Sequence, residues 1–180
     1  MVAWRWLDRL RGADAQRVTE TERPVLRRQV ARALESARRR DERCLLLRLQ
    51  ITGLEEMDDE LFVHSIWRVV VERLRREVRE DDLLARSAEH EFTVLAQGID
   101  VFPRTAATAI ASRLTRNLTS PYGIEGRRVE LDVRIGIASF PDDAVNAEGL
   151  LLAASHALHV ARRSSEPWRF AAPMLKRRER

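Results

Sequence analysis

The chain has almost no cysteine, almost no lysine and no long apolar run, and each shortage closes off a class of protein. One cysteine, Cys44, in 180 residues excludes an internal disulfide framework and a cysteine metal cluster. Its neighbours Leu45, Leu46 and Leu47 mark it as a small buried residue, and a lone thiol points to a reducing compartment, the cytoplasm. No stretch approaches the roughly 20 apolar residues of a membrane span. The start, Met1-Val2-Ala3-Trp4-Arg5-Trp6, lacks the apolar core of a secretory signal, so the expectation is a soluble protein. A single lysine, Lys176, stands among 32 lysines and arginines. The positive charge is therefore arginine, whose planar fork suits phosphate and nucleotide groups. Yet the net charge is only +4, and bases alternate with acids, as in Arg38-Arg39-Arg40-Asp41-Glu42-Arg43. That pattern reads as solvated helix surface and speaks against nucleic acid as the partner.

What is present is 44% hydrophobic residues, enough for the core of one domain. Residues 1–22 read as an amphipathic segment carrying Trp4, Trp6, Leu7 and Leu10, followed by a polar linker from Gly12 to Glu22. Two readings stand for the tryptophans: contact with a partner or membrane surface, or a helix capping its own domain. After Pro24 a helical pattern runs through Val25, Leu26, Val30 and Leu34, and Cys44 to Ile51 reads as a buried strand. A second helix carries Phe62, Ile66, Val70, Leu74 and Val78 on one face. Strands at Leu83–Arg86 and Phe92–Ala96 flank a polar turn, Ser87 to His90. A third helix spans Thr105 to Leu118, and Tyr122 to Gly126 reads as a turn-rich connection. Val129 to Phe140 alternates as one strand, a last helix runs from Ala147 to Arg163, and Trp168 to Phe170 forms a short strand. Residues 23–172 thus make one α+β domain, a central mainly antiparallel sheet flanked by helices, and 173–180 a basic tail.

The hairpin turn stands as Ala88-Glu89-His90-Glu91-Phe92, which resembles the five-residue signature of the GGDEF family, the bacterial diguanylate cyclases that join two GTP molecules into cyclic di-GMP. Only the last two positions are kept. Val133 to Asp143, with its Gly-Ile-Ala and Pro-Asp turn, and Leu150 to Arg163 are similar to the family's later strand and last helix. These segments and Cys44 to Ile51 occur in family order over residues 25 to 171. The resemblance implies a nucleotidyl-cyclase-like fold and a bacterial signalling role.

The family's chemistry asks for two carboxylates holding magnesium, a hard cation that takes oxygen ligands. In register with them stand Arg48 and His90, and Glu91 beside an arginine reads as an ion pair. The signature glycines, which let bare backbone approach the nucleotide, are Ala88 and Glu89 here. The guanine-reading positions fall on Glu55 or Glu56 and on His64. The phosphate-binding lysine falls on Arg162, and the next basic residue on Glu166. The resemblance therefore implies a catalytically inactive domain with no catalytic residue, no magnesium and no other cofactor.

One ligand site of the family is spared. Arg79-Glu80-Asp81-Asp82 stands five residues before Ala88, the spacing of the Arg-x-x-Asp inhibitory site where the family binds a stacked dimer of its product. Arg113 falls where a further arginine joins that site. An arginine fork can grip guanine or phosphate, and a carboxylate can accept from guanine N–H groups. The expected ligand is cyclic di-GMP at Arg79, Asp82 and Arg113, with a protein partner or a second copy receiving the signal. Two alternatives stand beside it: a nucleotide-independent adaptor, in which Arg79 and Asp82 only close a helix, and residual cyclase activity. His64, His156 and His159 read as surface or packing residues rather than metal ligands, and Trp67 and Trp168 as core.

Overall fold

The computed structural model describes residues 19–20, 23–99 and 103–172. The Trp4/Trp6 segment, most of the linker and the basic tail lie outside the described residues.

Helix α1 (Arg23–Arg40) buries Leu26, Val30, Leu34 and Ala37, a spacing of three and four that lays one apolar stripe on the sheet. Strand β2 (Arg43–Thr52) follows and is buried over most of its length because it is covered on both faces. Its side chains alternate between two cores. Leu45, Leu47, Leu49 and Ile51 enter one, and Cys44 and Leu46 the other. Helix α2 (Glu60–Glu77) opens at Asp59, whose carboxylate accepts from the Phe62 N–H, satisfying an orphan donor of the first turn. It buries Phe62, Ile66, Trp67, Val70, Val71 and Leu74. Strands β3 (Leu83–Ala88) and β4 (Glu91–Ile99) form an antiparallel hairpin.

Helix α3 (Pro103–Thr119) packs beside α2, strand β7 (Asp132–Phe140) returns to the sheet, helix α4 (Ala147–Ala161) covers it, and strand β8 (Trp168–Phe170) pairs parallel with β7. A short strand β1 (Thr19–Glu20), inside the stretch read as linker, pairs parallel with β3. The sheet order is β1-β3-β4-β2-β7-β8, mixed but mostly antiparallel. One core lies between the sheet and α2/α3, the other between the sheet and α1/α4. No helix among the described residues is long and apolar enough to cross a membrane.

One expected strand is divided. Val129 to Phe140 alternates throughout, but β6 (Arg127–Val129) pairs with β5 (Tyr122–Ile124) in a separate small sheet, and only β7 joins the main one. The connection read as turns is thus a hairpin. Its two turn residues, Glu125 and Gly126, have φ of 50° and 76°, the left-handed pair that matches the twist of a two-residue hairpin. Alternation reports which residues point inward and is blind to a change of partner strand.

At Gly136 the sheet and α4 nearly touch. A Cβ there would lie 2.1 Å from the Leu158 backbone N and 2.2 Å from the Ala154 carbonyl O, so only glycine permits this approach.

Candidate functional site

The turn between α2 and β3 carries the Arg-x-x-Asp residues, and Asp82 builds it. One carboxylate oxygen accepts from the Arg79 N–H at 3.0 Å, the other from the Gln97 N–H of β4 at 3.1 Å. The Asp82 N–H donates back to the Arg79 carbonyl at 3.1 Å. The carboxylate thus pins the helix end to the sheet and keeps further lone pairs free to face outward. Arg113 arrives from α3. Its Nε lies 2.6 Å from a Glu77 carboxylate oxygen, and its Nη2 donates to the Glu77 carbonyl at 2.8 Å. Asn117 donates to the other Glu77 oxygen.

Arg79, Asp82 and Arg113, distant in sequence, line one cavity of about 210 Å³, with Val94, Ala96 and Ile110 among its walls. A second cavity of about 480 Å³ opens on the opposite side of the turn, where Arg79, Asp82, Gln97 and Gly98 recur and Arg40 and Glu42 join them. Cationic forks, a fixed carboxylate and apolar walls together suit a planar, phosphate-bearing ligand. Sequence reasoning missed Glu77, Gln97 and Arg40. Their place depends on strand register and on where α1 ends, and no local motif carries that information.

The signature hairpin is the second region. Its turn is Glu89-His90, shorter than the Ser87–His90 turn read from the sequence, since β3 runs to Ala88. Arg86 is only 2% exposed. It donates from Nε to the Ala88 carbonyl at 3.3 Å and from Nη2 to the Glu89 carbonyl, so a buried cation braces the turn from inside. Trp67 forms the floor, fully buried, with the His90 ring 5.4 Å away, Phe92 at 6.1 Å and the Arg86 guanidinium at 5.4 Å.

Glu91 sits between two arginines. Arg48 of β2 reaches one carboxylate oxygen at 2.5 Å, and Arg162, just past α4, takes the other. Arg48 pairs across the sheet with Thr93 and Gly136, so the bridge lies on the α1/α4 face and ties β2, β4 and the end of α4 together. Both oxygens that a cation would need are engaged by guanidinium groups. Among the described residues no three His, Cys, Asp or Glu side chains converge as a metal site, and this constellation does not fit magnesium.

The remaining singled-out residues disperse. Glu55 is exposed and accepts from the Gly53 N–H at 2.7 Å. Bonds from its own and the Gly53 backbone N–H hold its carboxyl below the ordinary range. His64, on α2, is pushed down by burial and then by Arg68. His156 and His159 are exposed on α4, Trp168 is half-buried against the core, and Glu166 pairs with Arg169 at 2.7 Å.

Comparison with known proteins gives a consistent picture. The family described as diguanylate cyclase, GGDEF domain, matches residues 21–166. The bifunctional diguanylate cyclase/cyclic di-GMP phosphodiesterase MucR of Pseudomonas aeruginosa is 30% identical over 143 residues, 78% of this chain and 20% of MucR. The chain therefore spans about a fifth of that relative's length. Among solved structures, the GGDEF domain of TpbB from P. aeruginosa superposes with a TM-score of 0.76 at 27% identity, covering 84% of this chain and 96% of that one. The GGDEF domain of DgcB from Caulobacter crescentus, solved in complex with c-di-GMP, shares the fold at a TM-score of 0.71 and 17% identity, over 90% of this chain and 96% of that one.

Proposed function

Because the chain belongs to the GGDEF, diguanylate cyclase, domain family, we propose that it is a catalytically silent member that receives cyclic di-GMP at Arg79, Asp82 and Arg113 and passes the signal to a protein partner. The observation that carries this reading is the convergence of those three side chains on one cavity, with the Asp82 carboxylate held in place by two backbone N–H groups. The arginines supply forks for guanine edges and phosphates, and Asp82 accepts from guanine N–H groups. The cavity on the far side of the turn shares Arg79 and Asp82, which gives a ligand with two stacked bases room on both sides. The DgcB domain, solved with c-di-GMP, offers the ligand by analogy of fold.

Silence rests on the inverted charge of the other region. Where the family's reaction needs anions around a divalent cation, this chain has Arg48 and Arg162 on Glu91 and the His90 ring on Trp67. Magnesium supplies charge neutralisation of a triphosphate when bound, and these residues do not fit it. The reading excludes a cofactor and leaves the domain a receptor.

Titration calorimetry of the full chain with cyclic di-GMP tests it, with Arg79→Ala and with GTP plus magnesium in parallel. Micromolar or tighter binding lost in Arg79→Ala is the expected result. Absence of heat from a folded sample overturns the receptor reading and leaves a nucleotide-independent docking module. GTP turnover overturns the silence.

A further inference from the structure

Helix α1 carries seven arginines and one carboxylate, Glu35, so this single helix exceeds the +4 of the whole chain and the remainder is net acidic. The arrangement works against the helix itself. Arg23, Arg27 and Arg28 crowd the N-terminal turns, where the macrodipole favours anions, and no acidic residue stands in the first turn. Arg28 and Arg32, four apart and both exposed, repel one another. Neither has a partner among the described residues, whereas Arg38 and Arg39 share Glu35 and Arg27 lies 3.8 Å from Glu148. Charge placed against local stability indicates a demand from outside the fold.

The surroundings say what kind of surface answers it. Leu152, one turn beyond Glu148 on the adjoining α4, is 70% exposed, and Val145 is 55% exposed. On the opposite layer, the loop into α2 carries Glu55, Glu56, Asp58 and Asp59, and α2 opens with Glu60, all exposed. Seven arginines on α2 and α3 offset those acids together with Glu72 and Glu77, so that layer is near neutral while α1 sets seven arginines against one carboxylate, and a negatively charged plane would orient the molecule with α1 inward. In the sequence, Trp4, Trp6, Leu7 and Leu10 precede α1, residue types that favour a lipid interface.

We propose that the outer face of α1 docks on an anionic lipid bilayer, with Arg28 and Arg32 as its principal contacts and Leu152 entering the headgroup region. The site is separate from the cyclic di-GMP reading and stands or falls without it. Co-sedimentation of the full chain with vesicles tests it, comparing phosphatidylcholine alone with phosphatidylcholine plus phosphatidylglycerol. Expected is pelleting with the anionic vesicles only, weakened by added salt. In an Arg28→Ala/Arg32→Ala variant it drops by about thirtyfold, the effect of two basic residues near such a surface. Arg76→Ala, on the opposite layer, pellets as the unaltered chain does, and matching circular dichroism melts exclude misfolding. Equal pelleting with neutral vesicles, an unchanged double variant, or salt-sensitive binding to DNA or to itself with no response to anionic lipid each overturns the proposal.

Discussion

Asp82 uses both carboxylate oxygens on backbone N–H groups of Arg79 and Gln97, so substitutions within the Arg-x-x-Asp turn have unequal effects. Asp82→Ala leaves two donors without their acceptor and lowers stability by about 1–3 kcal/mol even without ligand. Arg79→Ala keeps the backbone N–H that Asp82 grips and stays within about 0.5 kcal/mol of the unaltered chain. Urea titrations of the two variants check this, and they make Arg79→Ala the cleaner probe of binding. Cys44 offers a second residue-scale test. Burial, helped by Glu42 and Asp82, pushes its thiol from 9.0 to about 11, so the folded state keeps a proton that the unfolded chain releases above pH 9. Stability is full below that pH and falls as it rises toward 11, by roughly 2–3 kcal/mol. Denaturant midpoints across this interval should fall, and Cys44→Ala should flatten the decline. The sequence already marked Cys44 as buried, since it opens an apolar run. It gave no sign that Arg86 is buried too, because that follows from the turn carbonyls it braces.

Each of the four helices among the described residues was legible in spacing alone, since one apolar stripe against a sheet imposes intervals of three and four residues. The strand hairpin was legible in alternation. Less legible were elements defined by their partners: β1, two residues long, and the β5–β6 hairpin, whose second strand runs on in phase with β7. The contact between β7 and α4 belongs to the same class. Nothing local in Ile135-Gly136-Ile137 announces that α4 presses its backbone there. Gly136→Ala should force the helix away from the sheet, open the core it shares with α1 and cost about 3 kcal/mol or more. Chemical denaturation reads the loss, and faster amide hydrogen exchange confined first to α4 would locate it. The same substitution at Gly123, whose added Cβ meets nothing within 4 Å, serves as the control.

At the scale of the molecule, the α+β sandwich and its family followed from segments in order, while the working geometry required the fold. Arg79 and Asp82 were readable as a motif, and Arg113 joined them by register. That all three face one cavity follows from α3 packing on α2 and from Glu77 holding the Arg113 guanidinium. The opposed charges of Arg48 and Glu91 were legible as a pair, but the second arginine, Arg162, meets Glu91 only because α4 crosses the sheet at Gly136. That three-membered bridge has a consequence for descent. A carboxylate at position 48 would stand against Glu91 and strand it with one cation. Removal of Glu91 would leave two guanidinium groups facing each other. Each single step away from the bridge passes through a less stable protein, so it works as a ratchet: a lineage carrying it drifts in its surface and its partners far more readily than at Arg48, Glu91 or Arg162.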